Sequence, residues 1–263
     1  LHARSKADDY GAPDYLLDHR LEIGGGVGHI NDRGQLDEVL QRASSLTVEP
    51  GANIRSTERG FIIVHRGSQL IAEGTADRPI TFSRIDDDNE GVGEWGGIAM
   101  LGFAPMYEGI PENQGEETAC FDKSENTSHD LSGGSFNWCN EGSNFGNAGG
   151  DHFADDSGVM RYVRIIEAGY RDERQNTMPA LTLVGVGNGT EVSHLQISNA
   201  LSHAIELSGG TLDLRHLVFS SVYQSDLLTD RGYQGNIQFL LSQKPDQPPV
   251  NHQMQNYDAY SVN

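Results

Sequence analysis

One group of acidic residues has the spacing of a calcium-binding loop. Asp86, Asp88 and Glu90 occupy alternate positions before Gly91, as in the first half of such a loop. The position that would close the loop with a bidentate carboxylate holds Gly97 instead. The sequence therefore predicts a calcium site here, with a solvated acidic turn as the alternative.

A second acidic group lies between glycine-rich turns. Asp151, Asp155 and Asp156 fall within six residues, and their carboxylate oxygens are the hard ligands that Ca²⁺ prefers. We expect a calcium ion at this place to stiffen the neighbouring loop. Ca²⁺ is thus the cofactor predicted for both groups.

Two histidines stand 22 residues apart in similar strings, His194 in Val-Ser-His-Leu and His216 in Leu-Arg-His-Leu. Equivalent positions of stacked strands become neighbours at about 4.8 Å, so the two imidazoles are predicted to stack. A stacked histidine pair is suited to metal binding or proton transfer. Packing alone is the alternative interpretation.

The same comparison of equivalent positions gives no catalytic cluster. Hydrolysis of a glycoside needs paired carboxylates, but Glu206 is followed one repeat later by Leu228. A lyase needs a base beside calcium-binding carboxylates. Arg164 and Arg215 are candidate bases, yet neither has such a partner in register. No catalytic residue is predicted.

Aromatic residues are concentrated in one polar segment. Tyr107, Phe136, Trp138 and Phe145 lie among Gly, Asn, Ser and acidic residues. Such residues dominate recognition surfaces, for sugars as for proteins. We predict that these four bind a ligand or partner, with a small local core as the alternative.

The elements that position these residues follow a repeat of 22. Alternating apolar strings, which indicate half-buried strands, align at Leu195, Leu217 and Phe239, at Ile197, Phe219 and Leu241, and at Ile205 and Leu227. A fixed period of this length indicates a solenoid in which each coil covers its neighbours. The predicted fold class is all-β, a parallel β-helix.

The β-helix domain is predicted over 21–243, with a long insertion at 103–157. Residues 1–20 and 244–263 are polar and are expected to form an N-terminal and a C-terminal arm. A short helix at 37–43 is predicted to cap the open end of the solenoid, which would otherwise expose strand edges.

Composition restricts the partners and the compartment. The formal charge is −20, from 38 acidic and 18 basic residues, so nucleic acid is not an expected partner. No apolar run reaches the length of a membrane span.

Cys120 and Cys139, the two cysteines, are predicted to form a disulfide across the insertion, which suits an oxidising compartment. Two free thiols are the alternative.

Several strings resemble secreted or surface-anchored bacterial β-helix proteins of the pectin-lyase-like group. The strings begin at Leu46 (Leu-Thr-Val-Glu-Pro-Gly-Ala-Asn-Ile), Ile71 (Ile-Ala-Glu-Gly-Thr-Ala-Asp-Arg-Pro-Ile-Thr-Phe), Glu94 (Glu-Trp-Gly-Gly-Ile-Ala-Met-Leu-Gly), Asp155, Leu183 and Gly209. The resemblance implies that the predicted all-β fold is a right-handed parallel β-helix and that the protein lies outside the cell, but it implies no settled activity. Where relatives tend to carry paired aspartates, this chain has Ser202-His203-Ala204 and Gln224-Ser225-Asp226.

The sequence thus predicts a structural or interaction module at the outer cell surface. Its expected partners are a second copy of the chain, in an oligomer or filament, or a surface polysaccharide or protein. A polysaccharide lyase or glycoside hydrolase of β-helix fold is the alternative function.

Overall fold

The computed structural model describes residues 14–25, 41–85, 91–106, 136–140, 143–169 and 178–244, with the backbone alone for 136–140 and 143–147. All elements within these residues are strands, as the predicted all-β class requires. They are β1 (Tyr15–Leu17), β2 (Arg20–Ile23), β3 (Ser45–Val48), β4 (Asn53–Ser56), β5 (Phe61–Val64), β6 (Gln69–Glu73), β7 (Ile80–Arg84), β8 (Ile98–Leu101), β9 (Phe136–Asn140), β10 (Ser143–Ala148), β11 (Gly158–Ile166), β12 (Leu181–Val184), β13 (Glu191–Ser198), β14 (Ile205–Ser208), β15 (Leu214–Ser220), β16 (Leu227–Asp230) and β17 (Ile237–Gln243).

The strands form a parallel β-helix with three faces. The first face has the order β2-β5-β8-β12-β14-β16, and every pair in it is parallel. The second face contains β3, β6 and the first halves of β11, β13, β15 and β17. The third contains β1, β4, β7 and the second halves of the same four long strands. Each coil therefore visits the three faces in turn.

The long strands bend between the second and third faces at a single residue. β11 pairs with β6 through Arg161 and with β7 from Val163 onward, which leaves Tyr162 between the two registers. Tyr162 has a positive φ of 50°, and the residues at the same corner of the next coils share this conformation. In the coil before, residues 74–79 make the same turn as a wider loop.

The interior is a continuous apolar column. Period-two alternation places one side of each strand inward, and the buried positions of β13 and β15 follow it. Inward residues of successive coils stack, as in the pairs Leu195–Leu217 and Ile197–Phe219. The core also holds Trp95, Phe82, Ile98, Met100, Met160 and Leu183.

The 22-residue register is confirmed between β13 and β15 and between β14 and β16. Polar side chains obey it too, since the hydroxyls of Ser198 and Ser220 lie 2.8 Å apart. The last step was predicted wrongly. Leu217 pairs with Leu240, not with Phe239. The reason is that residues 231–236 connect β16 to β17, one residue more than the 209–213 connection of the coil before.

The insertion follows β8 on the first face and leads into β11 on the second face. Its β9 and β10 form an antiparallel hairpin, and Ala148 packs against Ile63 and Leu101 in a second apolar cluster on the outer side of the first face. The predicted disulfide lies outside what the structure describes, because Cys120 is not described and only the backbone of Cys139 is. Residues 37–40 of the predicted capping helix also lie outside; of its other residues, Gln41 is helical, whereas Arg42 and Ala43 are not.

The first described strand starts earlier than the predicted domain. β1 lies within the segment expected to be an N-terminal arm and pairs with β4. Within the described part of the chain, no helix has the length and hydropathy to cross a membrane.

Candidate functional site

Four ring side chains stack along the corner between the second and third faces. Tyr162 lies 4.4 Å from His194, His194 lies 4.4 Å from His216, and His216 lies 4.9 Å from Phe239, all between ring centroids. The interplanar angles are 24°, 15° and 16°. We call these four residues the ladder. The predicted stacking of the two histidines is confirmed.

The backbone explains why the rings coincide. Each ladder residue has a left-handed conformation, with φ of 50° at Tyr162, 51° at His194, 58° at His216 and 60° at Phe239. Non-glycine residues rarely adopt it, because the Cβ atom approaches the carbonyl oxygen. Here the bend within each of the four long strands β11, β13, β15 and β17 has this conformation. Four side chains therefore leave the surface in the same direction, one strand spacing apart.

A shallow trough lies on the third-face side of the ladder. It has a volume of about 550 Å³. Its outward residues are stacked in register, from Arg164 through Gln196 and Val218 to Leu241. Val218 is 41% exposed and Leu241 is 65% exposed. This third-face trough is thus polar at one end and apolar at the other.

A second trough lies on the second-face side. It has a volume of about 650 Å³ and is lined by Arg161, Glu191, Ser193, Arg215 and the loop 74–77. Most of these side chains are polar, whereas the third-face trough is mainly apolar. The ladder therefore separates two concave surfaces of different chemistry.

The charges in the second-face trough are partly paired. Arg161 bonds to Glu73 on one side and lies 3.5 Å from Glu191 on the other. The Ser193 hydroxyl donates to the same Glu191 carboxylate at 2.9 Å. Within the described residues, Arg215 has no ion pair.

Burial is the main cause that lowers the pKa of His194, and the neighbouring His216 and Arg161 lower it further. A positive charge on one of two stacked imidazoles disfavours a charge on the other. Burial and these neighbours therefore favour the neutral form of His194 by lowering its pKa. Its Nδ1 is buried and has no hydrogen-bond partner among the described residues.

The second predicted calcium group is arranged differently from a metal site. Asp155 is buried, and its carboxylate accepts hydrogen bonds from the Ser157 hydroxyl and the Gly187 amide. Asp156 accepts from the Gly158 amide at 2.8 Å, while Asp151 is exposed. Among the described residues no three His, Cys, Asp or Glu side chains converge as metal ligands do.

Burial raises the pKa of Asp155 despite these hydrogen bonds. The backbone of Asp155 lies close to Gly187, since a Cβ atom added at Gly187 would be 2.4 Å from the Asp155 amide nitrogen. Asp155 therefore ties the end of the insertion to the coil that contains Gly187.

The remaining predicted site residues cannot be placed. Asp86, Asp88, Glu90 and Tyr107 lie outside the described residues. Phe136, Trp138 and Phe145 lie in the β9–β10 hairpin, where only the backbone is described.

The first face brings together two carboxylates that sequence comparison missed. Thr182 pairs with Glu206, and Ser208 pairs with Asp230. Glu206 and Asp230 are thus diagonal neighbours, 24 residues apart, and a search at a spacing of 22 passes over them. Burial raises the pKa of Glu206, and the charge of Asp230 raises it further. The Thr182 hydroxyl is buried without a partner among the described residues.

Comparison with known proteins assigns the family. The model of the family described as "pectate-lyase like beta helix domain" matches residues 34–262. The chain belongs to this family. The expected resemblance to pectin-lyase-like proteins is confirmed. No curated protein and no solved structure matches this pectate-lyase-like domain. The family itself suggests a carbohydrate-related role at most.

Proposed function

We propose that this pectate-lyase-like domain is an extracellular surface module that binds polysaccharide along the ladder. The observation that carries the proposal is the stack of Tyr162, His194, His216 and Phe239 between two troughs. Sugars present C–H surfaces and hydroxyl groups together, so a binding surface for them needs both apolar and hydrogen-bonding side chains.

Both kinds of side chain are present beside the ladder. Val218 and Leu241 offer exposed apolar surface to C–H groups. Arg164 and Gln196 extend the same row with hydrogen-bond donors. Aromatic rings add contact area at little cost in side-chain entropy.

The form of the surface favours a polymer over a single sugar. Each coil repeats the same set of positions at the strand spacing of about 4.8 Å. A ligand with a repeated unit can occupy successive coils in the same way. Binding several weak contacts in one chain increases the overall affinity through effective concentration.

Affinity electrophoresis in gels containing soluble polysaccharides tests the proposal. The double variant His194→Asn/His216→Asn removes two rings but keeps side chains that tolerate the left-handed conformation. We expect it to lose roughly five- to 150-fold in affinity, since two stacked aromatic contacts contribute roughly 0.5–1.5 kcal/mol each. His19→Asn is the matched control, because His19 is exposed and far from the ladder in the fold. Equal retardation of all three proteins would refute the proposed site.

A hydrolase is the second candidate, and Glu206 with Asp230 is the observation that favours it. A carboxyl with a raised pKa beside an ionised carboxylate is the arrangement that glycoside hydrolysis uses for its acid and its base or nucleophile. Release of reducing ends from polysaccharides, lost in both Glu206→Gln and Asp230→Asn, would support this function. Binding without any release would leave the binding module alone.

Calcium binding and the disulfide remain proposals. We propose that Ca²⁺ binds at Asp86, Asp88 and Glu90, and that Cys120 and Cys139 are bonded. Calorimetric titration with Ca²⁺ after EDTA treatment tests the first, with Asp86→Asn/Asp88→Asn as the variant. Intact mass before and after alkylation without reductant tests the second.

Self-association is proposed at the ends of the solenoid. The last described coil exposes Phe239, Leu240 and Leu241, and an exposed strand edge is a template for further pairing. Light scattering of the full chain should then give a mass above that of one copy. A monomer at all concentrations would refute an oligomer or filament.

A further inference from the structure

We propose that the ladder takes an uncharged glycan chain that lies along the solenoid axis, with one sugar residue per coil. This inference rests on the proposed polysaccharide binding and names the class of polysaccharide. Three features of the described residues support it: the local charge, the register of the troughs and the change from polar to apolar surface along them.

The local charge around the ladder is balanced although the chain is strongly acidic. The whole chain carries −20. Beside the ladder, three arginines stand against three carboxylates, so that 3 − 3 = 0: Arg161, Arg164 and Arg215 against Glu73, Asp77 and Glu191. These balanced charges leave the surface with no excess charge to attract a polyanion, and burial and the neighbours of His194 favour its neutral form by lowering its pKa.

Pairing weakens the electrostatic case for an acidic glycan further. Arg161 already contacts two carboxylates. An anionic chain in the second-face trough would lie beside Glu191 and Asp77, and the field of the −20 chain would oppose its approach. Hydroxyl groups meet no such penalty, because they accept from Arg215 and donate to a carboxylate equally well.

The register of the coils sets the direction of the ligand. Arg164, Gln196, Val218 and Leu241 form one row parallel to the ladder. Ring centroids along the ladder are 4.4 to 4.9 Å apart. A chain laid along the axis therefore meets equivalent positions at each step. A chain laid across the axis would meet one coil and leave most of the row empty.

The row also changes in character along its length. Its Arg164 end is charged, whereas Val218 and Leu241 at the other end are apolar and are 41% and 65% exposed. The ladder residue Phe239 beside them is also apolar and is 68% exposed. An anionic group on every sugar would place charges on this apolar end and lose their hydration there. An uncharged sugar presents C–H surface to the same residues. Four rungs correspond to about four sugars.

The experiment is calorimetric titration of the full chain with neutral oligosaccharides of two to six sugars, from β-glucan, mannan and xylan. Polygalacturonate and alginate oligosaccharides of the same lengths form the anionic arm. We expect at least one neutral series to bind, with affinity rising to about four sugars and then levelling off. Between roughly 0.05 M and 1 M NaCl the affinity should change less than about twofold. His216→Asn should reduce it about tenfold, and His19→Asn should not.

Each other outcome decides between the two proposals. Tighter binding of the anionic series, weakened by salt and by His216→Asn, would overturn the uncharged class and keep the ladder as a polysaccharide site. An affinity that does not depend on length would overturn the alignment with the axis. Binding of neither series would refute the proposed function together with this inference.

Discussion

The imidazole rings of His194 and His216 lie 4.4 Å apart at an angle of 15°, on residues that both have a positive φ. A left-handed backbone conformation is costly for most side chains. Stacking with Tyr162 and Phe239 on either side offsets part of this cost. The two histidines therefore connect backbone strain, packing between coils and the proposed binding surface.

The backbone at His194 should discriminate between substitutions of similar size. His194→Asn should lose only the stacking of the ring with Tyr162 and His216, because Asn tolerates the left-handed region. His194→Val loses the same stacking and should cost about 1–2 kcal/mol more than His194→Asn, since a β-branched residue there is strained. Urea unfolding of the two variants measures the difference. Equal stability would show that the bend does not impose the observed φ.

The titration of His194 should depend on its neighbour. Burial is the larger cause of its lowered pKa and His216 is the next. His216→Phe keeps a ring but removes a charge, so the pKa of His194 should rise part of the way towards its ordinary 6.5. Two-dimensional NMR of the imidazole protons against pH measures this shift. An unchanged or lower pKa in the variant would contradict the assignment.

His194 should also make the stability of the fold depend on pH, because its pKa is lowered in the folded state. His194 binds its proton less readily in the folded state than in the unfolded chain. Its contribution to stability is therefore present above pH 6.5 and is lost as the pH falls through the lowered value. His194→Asn should reduce this loss below pH 6.5, with His19→Asn as the control.

Asp155 should be important for holding the insertion to the solenoid. Its carboxylate accepts from Ser157 and Gly187, and its backbone carbonyl accepts from Thr190. Asp155→Ala would leave buried donors without a partner, which costs about 1–3 kcal/mol. Limited proteolysis should then cut within 103–157 faster than in the wild type. Asp156→Ala, which loses the single part-buried hydrogen bond from the Gly158 amide, is the control.

Asp155 should also give the stability a pH dependence. Its pKa is raised in the folded state, so the folded chain holds this proton more readily than the unfolded chain. The contribution is full below 3.8 and is lost as the pH rises through the raised value. Asp155→Asn should remove that part of the slope. An identical slope in both proteins would contradict the raised pKa.

Apolar alternation made most of the solenoid predictable, and its failures have physical causes. The strings at Leu195 and Leu217 gave the register of β13 and β15 because inward residues repeat with the coil. β4 does not show this alternation, since Ile54 is the one apolar residue in Asn-Ile-Arg-Ser. Its Arg55 is buried and donates to the Arg84 carbonyl.

The candidate site was predicted only in its centre. His194 and His216 are separated by one 22-residue repeat, and this separation predicted that their rings stack. Tyr162 precedes His194 by 32 residues and Phe239 follows His216 by 23, so a comparison of positions 22 residues apart identifies neither ring as part of the stack. Connection lengths between faces decide these offsets, and period-two alternation carries no information about them.

The longer connection that places Phe239 should depend on Tyr233. The Tyr233 hydroxyl donates to the Leu212 carbonyl at 2.7 Å, and burial followed by the charge of Asp213 raises its pKa to about 12. Tyr233→Phe removes this hydrogen bond between the 231–236 connection and Leu212, and the loss should cost about 1 kcal/mol of stability. Because the bond ties the connection to the previous coil, the amides of β17 should exchange faster with solvent while those of β13 keep their protection. Hydrogen exchange read residue by residue measures both strands. Equal protection of β17 in the variant and the wild type would show that pairing with β15 alone sets the register, and that Phe239 reaches His216 without help from the connection.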